Sequence, residues 1–236
     1  MIVDTAAIKK SLLDLVEGKQ HLIKNSIPTL TEEEYKQMHT DFLVPTTIKI
    51  DASKIQQQIE PYSKYFMQML HRTLDLPRYS IPLANLDGTL KEYDDANISF
   101  QKLNQLGNDK VYIDSDYNKP TEVFYLPFAE PLRIFENDLY RSLLLYWKPG
   151  GLFVPHIDAL STMPIMIRLW MGTESMRLRY AKNNVLVDCD FEPGRVYIID
   201  TSIVHDAHCF NEDGYQLIIA LHPRAYDMVN NIKINS

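Results

Sequence analysis

The chain predicts an α+β fold in which a helical N-terminal region precedes an antiparallel β core. Through the first third, apolar residues recur at three- and four-residue steps, the spacing of a helix face. After Leu139 the period drops to two, and short apolar runs are punctuated by glycine, proline and paired asparagines with no helical pattern between them. Closely spaced strands of this kind point to an antiparallel sandwich or barrel. The expected organisation is a helical region over 1–76, a mixed, loop-rich connecting segment over 77–138 and a β core over 139–236, together one compact domain.

The 236 residues, 45% of them hydrophobic, suffice for one sizeable core with a helical annex. With 23% charged residues the composition is globular rather than disordered. A net charge of −7 and the lack of a basic stripe disfavour nucleic acid as a partner. The cysteines, Cys189 and Cys209, suggest neither a disulfide framework nor a C-x-x-C metal or redox site, and a reducing compartment fits them. Residues 1–10 carry Asp4 and no long apolar run. The expectation is a soluble cytoplasmic protein without signal peptide or membrane span.

Ile8, Leu12, Leu13, Leu15 and Val16 form one apolar stripe, which Gly18 ends. Thr31 and Glu34 have the spacing of a capping box, in which each side chain satisfies a backbone N–H at a helix start. Asp51 is placed to cap a longer helix carrying Ile55, Ile59, Tyr62, Phe66, Leu70 and Leu74, kinked or split at Pro61. Between Pro77 and Pro131 the pattern weakens. Asp87-Gly88, Asp94-Asp95 and Gly107-Asn108-Asp109 are turn chemistry, in a lid, a substrate loop or a plain connector. Strands are expected at Ser142–Trp147, Ile165–Met171, Met176–Ala181, Val185–Cys189, Arg195–Asp200 and Tyr215–His222.

The sharpest chemical feature is His156-Ile157-Asp158. In an extended segment, residues two apart project to one face, so an imidazole and a carboxylate can reach one metal. Alone, such a pair often arises by chance. His205, downstream of a strand introduced by the Pro193-Gly194 turn, supplies a third donor. Two histidines and a carboxylate on one side of an iron leave its other positions open, although zinc also accepts these ligand types.

The run Tyr146-Trp147-Lys148-Pro149-Gly150-Gly151-Leu152-Phe153-Val154-Pro155-His156-Ile157-Asp158 resembles the first metal-binding strand of Fe(II)/2-oxoglutarate-dependent oxygenases: an aromatic, a Pro-Gly turn, then H-x-D. The later run from Pro193 to His205, a Gly-led strand ending in Asp200 and a short loop, resembles the aspartyl/asparaginyl β-hydroxylase branch, as does the apolar strand ending in His222-Pro223. Prolyl hydroxylases are similar too. The resemblance spans roughly 139–223. It implies a double-stranded β-helix, the jelly-roll or cupin-like core, with Fe(II) held between its sheets by His156, Asp158 and His205. It further implies 2-oxoglutarate and O2 as co-substrates, and hydroxylation of an Asp-, Asn- or Pro-type side chain in a small molecule or a polypeptide.

The family places an arginine about ten residues beyond the distal histidine, where it grips the far carboxylate of 2-oxoglutarate. Here that neighbourhood reads Gly214-Tyr215-Gln216-Leu217. The Gln216 amide can hydrogen-bond a carboxylate but lacks the charged fork. Arg168 is the favoured replacement, sharing a strand face with Met166 and Trp170, against Ile165, Ile167, Leu169 and Met171 on the other. Pairing of Arg168 with a structural carboxylate is an equal alternative, and Arg177 and Arg179 are rivals. Tyr146 is expected either to touch the co-substrate through its phenol or to be a core tyrosine.

His208 is expected to face away from His205, with a lesser role as the alternative ligand. His222 reads as structural or as a partner behind a ligand, and His21, His39 and His71 as solvent-facing. Asp200 and Asp206 either orient His205 or serve turns. Two other functional classes fit the same core: an iron oxygenase that does not use 2-oxoglutarate, and a non-catalytic cupin-like binding module. No G-x-S-x-G elbow and no phosphate-cradling loop is present.

Overall fold

The structure, a computed structural model, describes residues 1–10, 28–69, 76–92, 113–158 and 166–234. Residues 5–10 are helical, and the rest of the stripe ending at Gly18 lies outside the described residues. The regular elements are α1 (Glu32–Met38), β1 (Leu43–Lys49), α2 (Ile55–Ile59), β2 (Met67–Gln68), β3 (Arg78–Asn85), β4 (Lys119–Pro120), β5 (Ser142–Trp147), β6 (Gly151–His156), β7 (Ile167–Gly172), β8 (Met176–Lys182), β9 (Val185–Asp188), β10 (Arg195–Ile199), β11 (His205–Cys209), β12 (Gly214–Leu221) and α3 (Tyr226–Asn231). A long 3-10 stretch, Pro127–Asp138, precedes β5.

Two antiparallel sheets form the body. The larger runs β1-β10-β7-β12-β5-β3-β2, with β4 on β3, and the smaller runs β6-β11-β8-β9. From β5 onward the chain steps between them: β5, β7, β10 and β12 join the larger sheet, and β6, β8, β9 and β11 the smaller. The result is a mostly antiparallel, jelly-roll-like arrangement with a few short helices.

Local chemistry accounts for the turns. Asn183 and Asn184 both take positive φ, 52° and 62°, the pair of left-handed residues that a tight β8–β9 hairpin needs. Gly194, at φ +80°, brings its backbone so close to Ile50 that a Cβ would sit 2.4 Å from the Ile50 carbonyl oxygen. Only glycine fits there, and the contact fixes where β10 begins.

Alternation sorts the larger sheet into two faces. Ile167, Leu169 and Met171 of β7 and Leu217 and Ile219 of β12 pack outward beneath Met38, Ile55, Ile59, Phe128 and Leu132. Leu143, Leu145, Trp147, Trp170 and Ile199 point inward and meet Met176, Leu178, Ala207 and Cys209 of the smaller sheet. Each such side chain contributes about 1.5–3 kcal/mol on full burial, so both interfaces stabilise the stack.

The capping box forms as read: Thr31 Oγ1 accepts from the Glu34 N–H at 3.2 Å, and the Glu34 carboxylate accepts from the Thr31 N–H at 2.7 Å. The longer helix expected after Asp51 does not. α2 spans five residues and passes into a 3-10 turn, Glu60–Tyr65, that holds Pro61, and the chain then extends into β2. Asp51 accepts from Ser53 Oγ at 2.6 Å and pairs with Lys54 rather than capping the backbone. Leu70 and Leu74 lie outside the described residues.

Strands β1 to β4 all fall where none was expected. β1 and β3 lie in stretches read as helical and as loop, yet β1 pairs with β10 and β3 with β5. Each contains a proline, and β3 is buried along nearly its whole length, which erases the alternation that reveals a half-exposed strand. The expected strands from Ser142 onward are present to within two residues at either end, except that Ile165 lies outside the described residues. Among the described residues no helix is long and apolar enough to cross a membrane.

Candidate metal centre

β6 ends at His156 and β11 begins at His205, and the two residues are direct register partners. Two residues lie between Phe153 and His156 on β6, whereas one lies between His205 and Ala207 on β11, so β6 carries a one-residue bulge. That bulge brings Phe153 and His156 to the same face, where their ring centroids lie 3.8 Å apart. Just past β6, the Asp158 N–H donates to the Thr201 carbonyl at 3.0 Å, tying the carboxylate to the loop that leads into His205.

The donor atoms of His156, Asp158 and His205 all lie within 4.8 Å of one another. His156 Nε2 is 3.4 Å from Asp158 Oδ1, and His205 Nε2 is 4.0 Å from Oδ2. Each imidazole has its other nitrogen engaged: Nδ1–H of His156 donates to the Val154 carbonyl at 2.9 Å, and Nδ1–H of His205 to Ile203 at 2.8 Å. A carbonyl only accepts, so Nδ1 carries the proton and Nε2 keeps its lone pair for a metal. Two imidazole nitrogens and a carboxylate gathered on one side suit iron(II), with coordination positions left open.

Burial pushes the His205 imidazole down to about 4, helped by His156 and opposed by Asp158, so at neutral pH it is unprotonated and able to ligate. Burial works against the Asp158 carboxylate, but His156, Arg168 and His205 outweigh it and hold it well below the usual carboxylate range. The Asp158 side chain is 33% exposed against 7% for His205, so the triad opens toward solvent on the aspartate's side. On the closed side Phe42 stacks on Tyr180 at 4.7 Å and lies 5.9 Å from the His205 ring.

The remaining candidates separate by strand face. Arg168 and Trp170 of β7 and Gln216 of β12 alternate with outward-packed neighbours and lie on the inter-sheet side, where the charge of Arg168 acts on Asp158. Tyr146 is not brought to the triad. It lies on the opposite face of β5 from Trp147, stacks on Tyr215 at 5.3 Å and donates to Asp213 at 2.6 Å, because one step along a strand reverses the side. With Tyr79, Phe66 and Lys148 it lines an outer groove of about 410 Å³.

Arg177 and Arg179 face outward from β8. Arg179 makes a two-pronged ion pair with Asp206 at 2.9 and 2.6 Å, and Arg177 donates to the Glu174 and Met176 carbonyls. His208 shares the Asp206 face of β11, opposite His205. Asp200 closes a turn by accepting from the Ser202 N–H and hydroxyl, and it also accepts from Tyr35 at 2.6 Å. His222 accepts from the Arg224 N–H at a helix start. His39 is half-buried against Tyr35 rather than solvent-facing, while His21 and His71 lie outside the described residues.

Arg78 escaped the sequence reading. It is 3% exposed, with its guanidinium carbon 4.0 Å from the Phe153 ring centroid and 5.3 Å from that of Trp147. Burial pushes it down to about 10, the Asp158 charge acting in the opposite sense, and it remains a cation at neutral pH. The signal available was an arginine three steps before the apolar run Ile81–Ala84, in a stretch whose turns masked the strand.

No family model and no curated protein matches the chain. Among solved structures it is similar to a prolyl-4-hydroxylase of Pseudomonas putida, with 10% identity and a TM-score of 0.43 over 81% of this chain and 97% of that one. It is also similar to the ribosomal oxygenase YcfD of Escherichia coli in complex with cobalt and succinic acid, with 16% identity and a TM-score of 0.30 over 39% of this chain and 26% of that one. This chain therefore spans about a quarter of the ribosomal oxygenase. An oxalate oxidase matches with 11% identity and a TM-score of 0.34, over 78% of this chain and 74% of that one.

Proposed function

We propose that the chain is an iron(II)- and 2-oxoglutarate-dependent dioxygenase that hydroxylates an Asp-, Asn- or Pro-type side chain, in a free amino acid or a polypeptide. The observation that carries this reading is the triad itself: one nitrogen from each of two imidazoles and one carboxylate oxygen within 4.8 Å of one another, on one side of a centre open to solvent. Alternation of the chain between two sheets from β5 to β12 supports reading the core as a double-stranded β-helix. His156, Asp158 and His205 would hold the iron(II), which when bound would supply the redox chemistry for O2 activation coupled to decarboxylation of 2-oxoglutarate to succinate and CO2.

The chain's own residues prepare that chemistry. The Val154 and Ile203 carbonyls fix both imidazole tautomers before metal arrives. Phe153 and Phe42 flank the two imidazoles and exclude water from that side. Substrate approaches from the exposed side of Asp158.

A use of 2-oxoglutarate, rather than O2 alone, is favoured by the inner wall of the larger sheet. There Arg78 Nε and Nη1, Trp147 Nε1, Trp170 Nε1, Arg168 Nε and Gln216 Oε1 are buried without a hydrogen-bond partner among the described residues. Buried polar atoms are normally satisfied, and all but one of these are N–H donors, so an acceptor-rich anion complements them. Succinate release and O2 uptake, measured with and without iron, 2-oxoglutarate and candidate amino acids or peptides, test the reading. Iron- and 2-oxoglutarate-dependent succinate is expected. Iron-dependent turnover indifferent to 2-oxoglutarate would select the oxygen-only enzyme, and failure to bind metal the binding module.

A further inference from the structure

The cross-strand register gives the inter-sheet space two cationic poles. Arg168 is opposite Ala220 on β12, at the end of the sheet whose charge acts on Asp158. Arg78 is opposite Trp147, and Trp147 is opposite Gly214, so Arg78 occupies the row at the other end of β12. Six residues separate Ala220 from Gly214, roughly 20 Å along the strand.

The Gly214 end is closed. The Gly150 N–H donates to the Cys209 carbonyl there at 2.8 Å, joining the β5–β6 turn to the smaller sheet. A Cβ on Gly214 would meet Met176 Sδ and Ser175 Oγ at 2.8 Å, so a side chain at that position would have to displace them. Arg78 supplies the charge from two strands away. Its guanidinium lies on the Phe153 ring, which in turn lies against His156, so one aromatic ring separates this cation from the first metal ligand. Between the two poles stands Gln216, buried with its carbonyl oxygen unpartnered among the described residues.

We propose that Arg78 receives the remote carboxylate of 2-oxoglutarate at the closed end of the inter-sheet space, and that Arg168 serves the metal end. This rests on the 2-oxoglutarate reading above. The assignment follows from burial and direction. A diacid held through its keto-acid end would extend away from the open Asp158 side into the inter-sheet space, where Arg78 is the more deeply buried of the two cations. Arg78 is 3% exposed, and its Nε and Nη1 are buried without a partner among the described residues, so it offers charged N–H donors to a carboxylate. Arg168, whose Nε is also unpartnered among the described residues, is only half-buried and stands in the row at the Ala220 end of β12.

The test is anaerobic calorimetry on the metal-loaded full chain, comparing 2-oxoglutarate with 2-oxopentanoate, which has a methyl group where the remote carboxylate would be. Wild type is expected to prefer the diacid. Arg78→Met should lower affinity for 2-oxoglutarate by about 10- to 100-fold, leaving metal and 2-oxopentanoate binding unchanged, so that the preference disappears. Arg78→Lys should keep part of it, and serves as the measurement if the methionine variant does not fold. Arg168→Met should leave the preference intact. A preference that survives in both Arg78 variants, or is abolished by Arg168→Met alone, overturns the assignment while leaving the 2-oxoglutarate reading in place. Metal-loaded wild type that binds neither acid overturns both.

Discussion

His156 and His205 face each other as register partners across β6 and β11, and each binds the carbonyl two residues before it through Nδ1. The two imidazoles are therefore oriented by the same local device on two antiparallel strands, and the metal-facing nitrogen of each is set by backbone geometry.

Removing a ligand should cost more than removing a group that merely orients one, a loss of about 10–100-fold in affinity. His156→Ala, Asp158→Ala and His205→Ala are each expected to weaken cobalt(II) or iron(II) binding by more than about 100-fold. His208→Ala, on the opposite face of β11, should bind metal as wild type does. Calorimetric titration of the apoprotein reads both outcomes.

Stability should fall on mild acidification. Burial lowers the affinities of His39 and His208 for protons below the ordinary value of 6.5. Below 6.5 the unfolded chain takes up protons that the folded chain refuses, so stability present above 6.5 is lost as pH falls. The urea midpoint of the apoprotein should drop between about pH 7.5 and about pH 5.5, and by less in the His39→Gln and His208→Gln variants. An unchanged dependence in both variants would show that neither imidazole contributes.

The Arg179–Asp206 pair makes a sharper test. Asp206 is fully buried, with Arg179 its two-pronged partner. Arg179→Met should destabilise the fold by about 3–5 kcal/mol, because a buried carboxylate is left uncompensated. Arg179→Met with Asp206→Leu should recover most of that loss. Urea unfolding of the single and double variants measures the difference.

Gly150 and Gly194 share the left-handed conformation but not the surroundings. At Gly150, φ +84°, a Cβ would meet nothing within 4 Å, whereas at Gly194 it would strike the Ile50 carbonyl. Gly150→Ala should therefore cost about 1–2 kcal/mol of backbone strain. Gly194→Ala should cost roughly 3 kcal/mol or more, because β10 has to move away from Ile50. Thermal unfolding of the two variants gives the comparison.

The β core was legible because its turns are written in residues with one conformational purpose, such as Asn183-Asn184 and Pro193-Gly194. The H-x-D pair and His205 were legible because their ligand chemistry is restricted. Strands β1 and β3 were not, since Pro45 and Pro82 and two-sided burial remove the alternating signature. The sequence left Tyr146 between two readings for a related reason. Period two says which residues share a face, but only packing says which face looks inward. Arg78 stayed invisible because its role depends on a register with Trp147 across a long separation in the chain, which no local pattern encodes.

The larger sheet borrows β1 and β3 from the first half of the chain, and this ties solubility to chemistry. A fragment starting at Leu139 would bare the edges of β10 and β5 and uncover the outward apolar wall of β7 and β12. Bare edges beside a greasy wall recruit foreign strands, so such a fragment would self-associate. It would also lack Arg78, and even if refolded would have lost the buried cation facing the metal ligands. Loss of β1 and β3 would therefore cost the protein both its sheet edges and its buried cation.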